Sequence, residues 1–310
     1  MQIPIIDAHH HFWDLERNYH PWLCNDPPIP FRYGDYRALR RSYLFEDYAR
    51  DTSAFDLIGS VYVEAEWDPS DPVGETRWID AIADECGFPS VVVAQAWLDR
   101  DDVEKVLAAQ ARFSRVRSIR HKPTAAAAPD AVTPGARGSM GDARWRRGYA
   151  LLEAHGLAFD LQTAFWHLSE AYALACDFPR TQIILNHTGL PADRSPEGLA
   201  AWRRAMGELA RAPNVAVKIS GLGQPGRAWT VDANRPVVLD TIDLFGVERC
   251  MFASNMPVDG LVADFDTIYR GFMEIVSHFP LEERRKLFSE NARRIYRIPL
   301  AAGAAALLPA

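Results

Sequence analysis

Three consecutive histidines stand near the start of the chain, in the run DAHHHFW at positions 7–13. The run follows a short apolar segment that is typical of a β-strand. Because successive side chains of a strand point to opposite faces, His9 and His11 share one face and His10 lies on the other. Two imidazoles on one face can bind a divalent metal ion or an anionic substrate together. A pair of hydrogen-bonded core histidines is the alternative, but three histidines are costly to bury without a function.

Two later segments also end an apolar run with polar residues. The run IIL at positions 183–185 is followed directly by Asn186 and His187. The run MFASNMPVD at positions 251–259 places Asn255 near a strand end and Asp259 four residues later. A satisfied polar residue and a capped turn are the structural alternatives. Together with the first motif, these segments predict one site that includes His187.

Short β-branched runs alternate with amphipathic helical stretches along the chain. The predicted strands cover residues 3–8, 57–64, 90–96, 116–120, 158–161, 182–186, 215–219 and 250–253. The predicted helices cover residues 76–86, 101–113, 145–155, 169–178, 198–211 and 235–245. Nearly continuous apolar strands are typical of a sheet covered on both faces, and eight of them predict a closed (β/α)8 TIM barrel. Barrels of about 250 residues or more often form one domain. We therefore predict a single domain over 1–300 and an Ala-rich tail at 301–310.

Two segments depart from the βα pattern. Residues 14–45 are longer than an ordinary connection and rich in aromatic residues, which favours an ordered excursion over the barrel mouth. These aromatic residues include Tyr19, Trp22, Phe31, Tyr33 and Tyr36. Residues 124–143 have low complexity, and a mobile lid and a disordered surface loop are equal alternatives for them.

Composition excludes some classes of protein. The 310 residues carry 41 acidic and 34 basic side chains, a net charge of −7, which argues against a nucleic-acid binder. The four cysteines are far apart in the chain and form no CxxC motif, which is typical of reduced thiols in a cytosolic protein. Neither a signal peptide nor an apolar stretch of about 20 residues is present, so no membrane contact is expected. We predict a cytoplasmic protein that binds a small-molecule substrate. The sequence does not give the oligomeric state, and a homodimer is one of the assemblies open to it.

The segments IIDAHHHFW, LNHTGLP, VAVKISGL, FASNMPVD and NARRIYRI together resemble the amidohydrolase superfamily. The similarity is greatest to its amidohydrolase-related branch, which includes sugar lactonases and 2-pyrone-4,6-dicarboxylate lactonase, and it spans the chain from Ile5 to about Ile298. This resemblance implies a distorted (β/α)8 barrel that hydrolyses its substrate at the C-terminal face. It also implies that His9 and His11 form the first-strand pair and that His187 is the sixth-strand histidine.

Asn255 departs from the pattern of the family, which has a water-activating aspartate at this position. A neutral amide cannot accept a proton at neutral pH, so another group must act as the base. Asp259 and the second-strand residues Glu64 and Glu66 are the nearby carboxylates, and alternation would place the two glutamates on one face. We predict Asp259 or Glu66 as the base, with surface charge as the alternative for the glutamates.

Positive side chains follow the fourth strand and lie within the seventh. Arg120, His121 and Lys122 could hold an anionic group of the substrate or an oxyanion. Lys218 is a further cation within a strand that is predicted to be buried. Gln162 follows the fifth strand, where many binuclear relatives have a histidine, so a bridged pair of metal ions is not expected.

The resemblance implies a hydrolase that opens a small polar lactone, sugar-derived or carboxylated, by water attack on the ring carbonyl. His9, His11 and His187 would polarise the carbonyl oxygen directly or through one divalent metal ion, Zn²⁺ or Mn²⁺. Related pyrone lactonases work without a metal, so both routes stay open. A metal-dependent decarboxylase or hydratase of the same superfamily is one alternative. A degenerate barrel that binds a sugar acid without turnover is the other.

Overall fold

The computed structural model describes residues 3–299, and the tail predicted at 301–310 lies outside this range. Eight parallel strands pair in chain order, from β1 to β8. The strands are β1 (Ile5–His10), β2 (Leu57–Val63), β3 (Val91–Gln95), β4 (Val116–Arg120), β5 (Ala158–Leu161), β6 (Ile183–Leu185), β7 (Val215–Ile219) and β8 (Cys250–Phe252). The predicted (β/α)8 barrel is confirmed, and each strand boundary lies within two residues of its prediction.

Helices cover the outside of the barrel. They are α1 (Pro21–Cys24), α2 (Phe45–Thr52), α3 (Gly74–Cys86), α4 (Val103–Gln110), α5 (Ala143–Ala154), α6 (Leu168–Asp177), α7 (Pro196–Leu209), α8 (Val231–Phe245), α9 (Phe265–Ile275), α10 (Leu281–Arg285) and α11 (Asn291–Ile295). The largest error in a predicted boundary is at α8, which begins four residues early. Its N-cap is Thr230, whose hydroxyl accepts a hydrogen bond from the Ala233 amide, and Pro236 is tolerated in its second turn.

The ends of the sheet meet through β1 and the segment after β8. The backbone N–H of Asn255 donates to the backbone carbonyl of His9 at 2.8 Å. The backbone N–H of His11 donates to the backbone carbonyl of Met256 at 2.8 Å. These backbone bonds close the barrel at the end where the histidines lie. The same bonds hold Asn255 beside the histidine run.

Buried Asp7 strengthens this closure. Its carboxylate accepts hydrogen bonds from the Ser254 amide at 2.8 Å and from the Ser254 hydroxyl at 2.6 Å. The hydroxyls of Tyr48 and Tyr269 donate to the same carboxylate at 2.9 and 3.1 Å. Asp7 therefore connects β1 to the end of β8 and to two outer helices. These four donors saturate the hydrogen-bonding capacity of its carboxylate, which does not line the cavity.

The excursion between β1 and β2 is ordered, as predicted. The Trp22 indole donates to the carbonyl of Ala65 at 2.9 Å, and the Tyr36 hydroxyl donates to the carbonyl of Trp22 at 2.9 Å. Phe31 stacks on Trp22 with ring centroids 5.7 Å apart. Trp22, Phe31 and Tyr36 therefore form an aromatic wall against the barrel mouth.

The loop at 124–143 makes hydrogen bonds within itself and to the turn that follows β5, and a mobile lid stays a prediction for it. The Thr124 amide donates to the carbonyl of Gly138 at 2.9 Å, and the Trp166 indole donates to that of Ala126 at 3.0 Å. The loop is therefore packed on the surface, and none of its residues lines the cavity at the barrel mouth. Across the described range 3–299, no helix is long and apolar enough to cross a membrane.

Candidate active site

A cavity of about 270 Å³ opens at the C-terminal ends of the strands. This is the end of a (β/α)8 barrel where active sites lie. Its lining combines the aromatic wall of the excursion with polar side chains from the strand ends. The lining residues are His11, Trp22, Ile29, Pro30, Phe31, Arg32, Ala65, Glu66, Arg120, Lys122, Gln162, His187, Leu190, Asn255 and Val258.

The structure brings the three predicted histidines together. The Nε2 atoms of His9 and His11 lie 3.2 Å apart, and the ring centroids of His9 and His187 are 4.6 Å apart. His11 and His187 line the cavity, whereas His9 is fully buried behind them. His10 points away from the cavity, bonds the Ser60 hydroxyl at 2.9 Å and stacks on a tyrosine, as strand alternation requires.

Hydrogen bonds fix the tautomer of His11. Its Nδ1 lies 2.7 Å from the carbonyl oxygen of Val63, so Nδ1 must carry the proton. The Nε2 atom of neutral His11 therefore carries a lone pair that can accept a proton, and His9 Nε2, 3.2 Å away, is the group in position to donate to it in the free protein. His187 Nδ1 lies 2.9 Å from the Ser220 hydroxyl, which can donate or accept, so either tautomer of His187 is satisfied.

The three imidazoles are neutral at pH 7. Burial lowers the pKa of His9, His11 and His187 well below the ordinary value. Nearby cations add to this effect, with Lys218 acting most on the pKa of His9, Arg120 on that of His11 and Arg32 on that of His187.

Each cation of the cavity has a carboxylate partner. Arg120 forms a buried ion pair with Glu64, and its guanidinium also bonds the carbonyl of Glu64. Lys122 pairs with Glu66 at the rim. The guanidinium of Arg32 lies 3.6 Å from the buried carboxylate of Asp259.

Asn255 is oriented by Asp259. The side-chain nitrogen of Asn255 donates to Asp259 Oδ1 at 2.6 Å. The side-chain oxygen Oδ1 of Asn255, which lines the cavity, is left as an acceptor. The hydroxyl of Tyr33 also donates to Asp259 Oδ1, at 2.9 Å. Burial raises the pKa of Asp259, and the nearby Arg32 opposes this rise.

Three further predicted site residues do not line this cavity. Asp259 lies behind Asn255 and does not line the cavity, so it cannot contact a substrate there as a base. Lys218 is fully buried and pairs with Asp160 at 2.7 Å, so it is not a substrate-binding residue of the cavity. His121 faces a neighbouring cavity, and its Nδ1 accepts hydrogen bonds from the Trp145 indole and the Leu98 amide, each at 3.0 Å.

Glu64 and Glu66 do not share one face as alternation predicted. Strand β2 ends at Val63, and Glu66 has a left-handed backbone with φ of 56°. The Glu66 amide donates to Glu64 Oε2 at 2.8 Å, so the chain turns back on Glu64. Only Glu66 lines the cavity, while Glu64 is held by Arg120.

Arg32 is a site residue that sequence reasoning missed. It comes from the irregular excursion, where no strand pattern gives the direction of a side chain. Gly221, with φ of +64°, makes room for it. A Cβ atom at Gly221 would lie 2.7 Å from the His187 ring and 2.9 Å from the Arg32 guanidinium. The glycine in VAVKISGL was the available signal, since such contacts leave no space for a side chain.

Replacing Gly221 with alanine is therefore expected to lower kcat/KM by about tenfold or more, because a 1 Å displacement can cost up to a hundredfold. Activity of the folded variant and its thermal midpoint are the measurements. Gly226, with φ of +66° and open space around it, provides the matched control. Equal losses of activity in Gly221→Ala and Gly226→Ala would show that backbone strain, and not crowding at His187, is responsible.

Similarity to known proteins agrees with this architecture. The family model described as Amidohydrolase matches residues 6–298. The chain is 42% identical to the uncharacterized protein y4mH of Sinorhizobium fredii, over 96% of this chain and 99% of that protein. It is 28% identical to an L-fucono-1,5-lactonase of Burkholderia multivorans, over 95% and 96% of the two chains. A zinc-bound amidohydrolase crystal structure from Burkholderia multivorans superposes with a TM-score of 0.79 at 26% identity, over 95% and 99%.

These matches define the class of the protein. A family model that spans almost the whole described chain and a relative at 42% identity leave no large segment outside the match. The chain belongs to the amidohydrolase family and is a hydrolase with a (β/α)8-barrel fold. The family and the zinc-bound structure are also compatible with a divalent metal ion.

The residues present fit a metal ion incompletely. The 3.2 Å between the Nε2 atoms of His9 and His11 suits two ligands of one ion, since Zn–N bonds of about 2.0–2.1 Å in a tetrahedron give a similar spacing. However, no group of three or more His, Cys, Asp or Glu side chains within residues 3–299 is arranged to hold an ion. The buried carboxylates of Glu64 and Asp259 are bound to Arg120 and Asn255. A catalytic zinc site needs three protein ligands, so we derive no step through a metal.

Proposed function

We propose that the chain hydrolyses a neutral, sugar-derived lactone by attack of water on the ring carbonyl. The pairing of every cavity cation with a carboxylate carries this proposal. Arg32, Arg120 and Lys122 are balanced by Asp259, Glu64 and Glu66, so the cavity offers hydrogen bonds without an excess of positive charge. A multiply carboxylated lactone would need unpaired cations in the cavity.

The relatives support a sugar-derived substrate in particular. The curated relative from Burkholderia multivorans is named an L-fucono-1,5-lactonase, and it matches over 95% of this chain. A sugar lactone is polyhydroxylated, and the polar rim with the aromatic wall of Trp22 and Phe31 suits such a ring. This support favours the sugar-derived substrate over the carboxylated one.

In the proposed reaction, His11 acts as the general base. His11 lines the cavity, and its Nε2 is the unprotonated nitrogen because Nδ1 donates to the Val63 carbonyl; this Nε2 also lies 3.2 Å from His9 Nε2. His11 takes a proton from the attacking water as the new C–O bond forms. When the ring C–O bond breaks, the same proton passes to the ring oxygen, and the products are the open hydroxy acid and the free base. The sequence predicted Asp259 or Glu66 for this role, and His11 replaces both in the proposal.

His187 and Arg32 are placed to stabilise the oxyanion. His187 can donate from Nε2 when its Nδ1 accepts from the Ser220 hydroxyl, and Arg32 lies beside it. Donors that are fixed before the reaction stabilise developing charge most strongly in a dry cavity. The carbonyl oxygen of Asn255 would accept a hydrogen bond from the attacking water or from a substrate hydroxyl.

The decarboxylase or hydratase alternative is less well supported. It would be favoured by an obligate metal ion and an aromatic acid substrate. The described residues lack a complete ligand set, and the cavity cations are already paired. A divalent ion such as Zn²⁺ or Mn²⁺ remains compatible with the family, and we propose that turnover of the lactone does not depend on it.

The Glu66→Gln substitution separates the base candidates. It removes a proton acceptor with almost no change of shape, so it would lower kcat by at least about a hundredfold if Glu66 were the base. Because we assign this role to His11, we expect a change of kcat below tenfold. Initial rates on an identified lactone, followed by release of acid, give the measurement. A hundredfold loss of kcat without a change of folding would show that Glu66, and not His11, is the general base.

A lactone panel tests the proposed function, with the protein assayed before and after treatment with a chelator. The panel includes neutral 1,4- and 1,5-sugar lactones and a dicarboxylated pyrone lactone. We expect turnover of a neutral sugar lactone that survives chelation. Turnover confined to the pyrone lactone, or loss of all activity on chelation, would contradict the proposal.

A further inference from the structure

A second cavity lies beside the first. It has a volume of about 330 Å³, against about 270 Å³ for the active-site cavity. The two cavities share Glu66, Arg120 and Lys122 as lining residues. The ion pair of Lys122 with Glu66 therefore stands at the boundary between them. None of the chemistry proposed above uses the second cavity.

The charges of this second cavity are balanced. Arg120 is paired with Glu64, and Lys122 is paired with Glu66. The ring of His121 accepts two hydrogen bonds at Nδ1, from Trp145 and Leu98, which suits a neutral imidazole. A charged ligand would have to displace one of these partners. The cavity is therefore suited to a neutral ligand.

Gln95 supplies a buried polar group that lacks a partner. It is the last residue of β3, lines the second cavity and has only 7% of its surface exposed. Within the described part of the chain, its side-chain oxygen has no hydrogen-bond donor. Buried polar atoms are nearly always paired, so an orphan acceptor beside a cavity indicates a donor that comes from a ligand or water. A hydroxyl group meets this need.

Two tryptophans complete the lining. Trp67 and Trp97 are half-buried and stand on the same cavity. Trp67 is held between His20 and Trp78, with ring centroids 5.3 and 6.0 Å away, and the Arg100 guanidinium lies over Trp97. Rigid aromatic surfaces combined with a few polar groups are typical of small-molecule sites. The apolar face of a sugar ring suits such surfaces, and its hydroxyls suit Gln95.

We propose that the second cavity is a subsite for a neutral sugar ring that is glycosidically linked to the lactone. This inference rests on the proposed function and narrows its substrate class to lactones of disaccharides. The lactone ring would lie beside His11 and His187, and the second ring would lie against Gln95, Trp67 and Trp97. The linkage would pass the ion pair of Lys122 with Glu66.

Matched substrates test this subsite. The value of kcat/KM is measured for D-glucono-1,5-lactone and for its glycosylated forms, cellobiono- and lactobiono-1,5-lactone. We expect at least one disaccharide lactone to exceed the monosaccharide lactone about tenfold or more. The Gln95→Leu variant should remove this preference and leave the monosaccharide lactone within twofold of wild type. Gln224→Leu, outside both cavities, is the matched control. A monosaccharide preference, or equal losses on both substrates in Gln95→Leu, would overturn the subsite.

A binding measurement separates failure of the subsite from failure of the proposed function. Cellobiitol, a neutral disaccharide without a lactone, is titrated against the protein while tryptophan fluorescence is recorded. If no lactone is hydrolysed, the proposed function fails, but quenching that is lost in Gln95→Leu would still support a sugar subsite. Absence of quenching in the wild-type protein, with no preference for disaccharide lactones, would contradict it.

Discussion

Replacing His11 with glutamine is expected to lower kcat by at least about a hundredfold, the size of effect that a lost general base produces. Glutamine keeps a hydrogen-bonding side chain of similar reach, but it cannot take up a proton. His11 Nε2 carries the lone pair because Nδ1 is bonded to the Val63 carbonyl, and His11 lines the cavity. The variant should therefore lose proton transfer while KM changes little. Steady-state kinetics on an identified lactone, with circular dichroism to confirm folding, give the result.

Two other histidines provide controls for this prediction. His278 is exposed and distant in the fold, and His278→Gln should keep wild-type kcat. His10 faces away from the cavity and bonds Ser60. The His10→Gln variant should therefore have a lower thermal midpoint, while the kcat of its folded fraction stays close to the wild-type value. Equal losses of kcat in the His10 and His11 variants, with folding intact, would contradict the assignment of His11.

The second large effect concerns stability. Lys218 and Asp160 form a fully buried ion pair at 2.7 Å inside the barrel, and burial lowers the pKa of Lys218 to about 8. Lys218→Met would leave Asp160 as a buried charge without its counter-ion, which typically destabilises a protein by about 3–5 kcal/mol. For a chain of 310 residues the thermal midpoint should fall by roughly 5–8 °C, because the entropy of unfolding is about 2.1 cal/mol/K per residue. Differential scanning calorimetry gives the measurement.

A double variant identifies the cause of this loss. Asp160 keeps hydrogen bonds from Asn186 at 2.9 Å and from Tyr296 at 2.8 Å, and both donors also suit an amide oxygen. Asp160→Asn combined with Lys218→Met removes both charges, so the double variant should be more stable than Lys218→Met alone. If the two losses simply added, packing rather than the unpaired charge would be the cause.

The regular part of the fold was predictable from local sequence. Strands such as Val91–Gln95 are short β-branched runs, and a run that is buried on both faces has few alternatives to a parallel strand. The sequence placed the start of α8 at residue 235, whereas the hydroxyl of Thr230 caps a start at Val231. Capping depends on a single hydrogen bond, which periodicity does not reveal.

The site was predictable where a strand determines side-chain direction. Alternation along β1 places His9 and His11 on one side, where the structure has them. The end of β6 places His187 at the barrel mouth beside them. Prediction failed just beyond the strand ends. The chain turns at Glu66, and the sequence alone could not show that Glu64 binds Arg120.

The remaining errors concern long-range contacts. Arg32 reaches the cavity from an irregular segment, and Asp259 is withdrawn behind Asn255 by contacts from Tyr33 and Arg32. These contacts join residues more than 200 positions apart in the chain. No local pattern encodes them. One of the three ion pairs of the cavity, Arg32 with Asp259, is such a contact.

The decisive experiment compares one neutral sugar lactone with one dicarboxylated pyrone lactone on the same purified protein. We expect a kcat/KM of about 10⁴ M⁻¹s⁻¹ or more for the neutral lactone, within the usual range of enzymes, and a value at least about a hundredfold lower for the pyrone lactone. A reversed preference would show that the paired cations do bind carboxylates. Absence of turnover of every neutral sugar lactone would contradict the central claim that this cavity hydrolyses such rings.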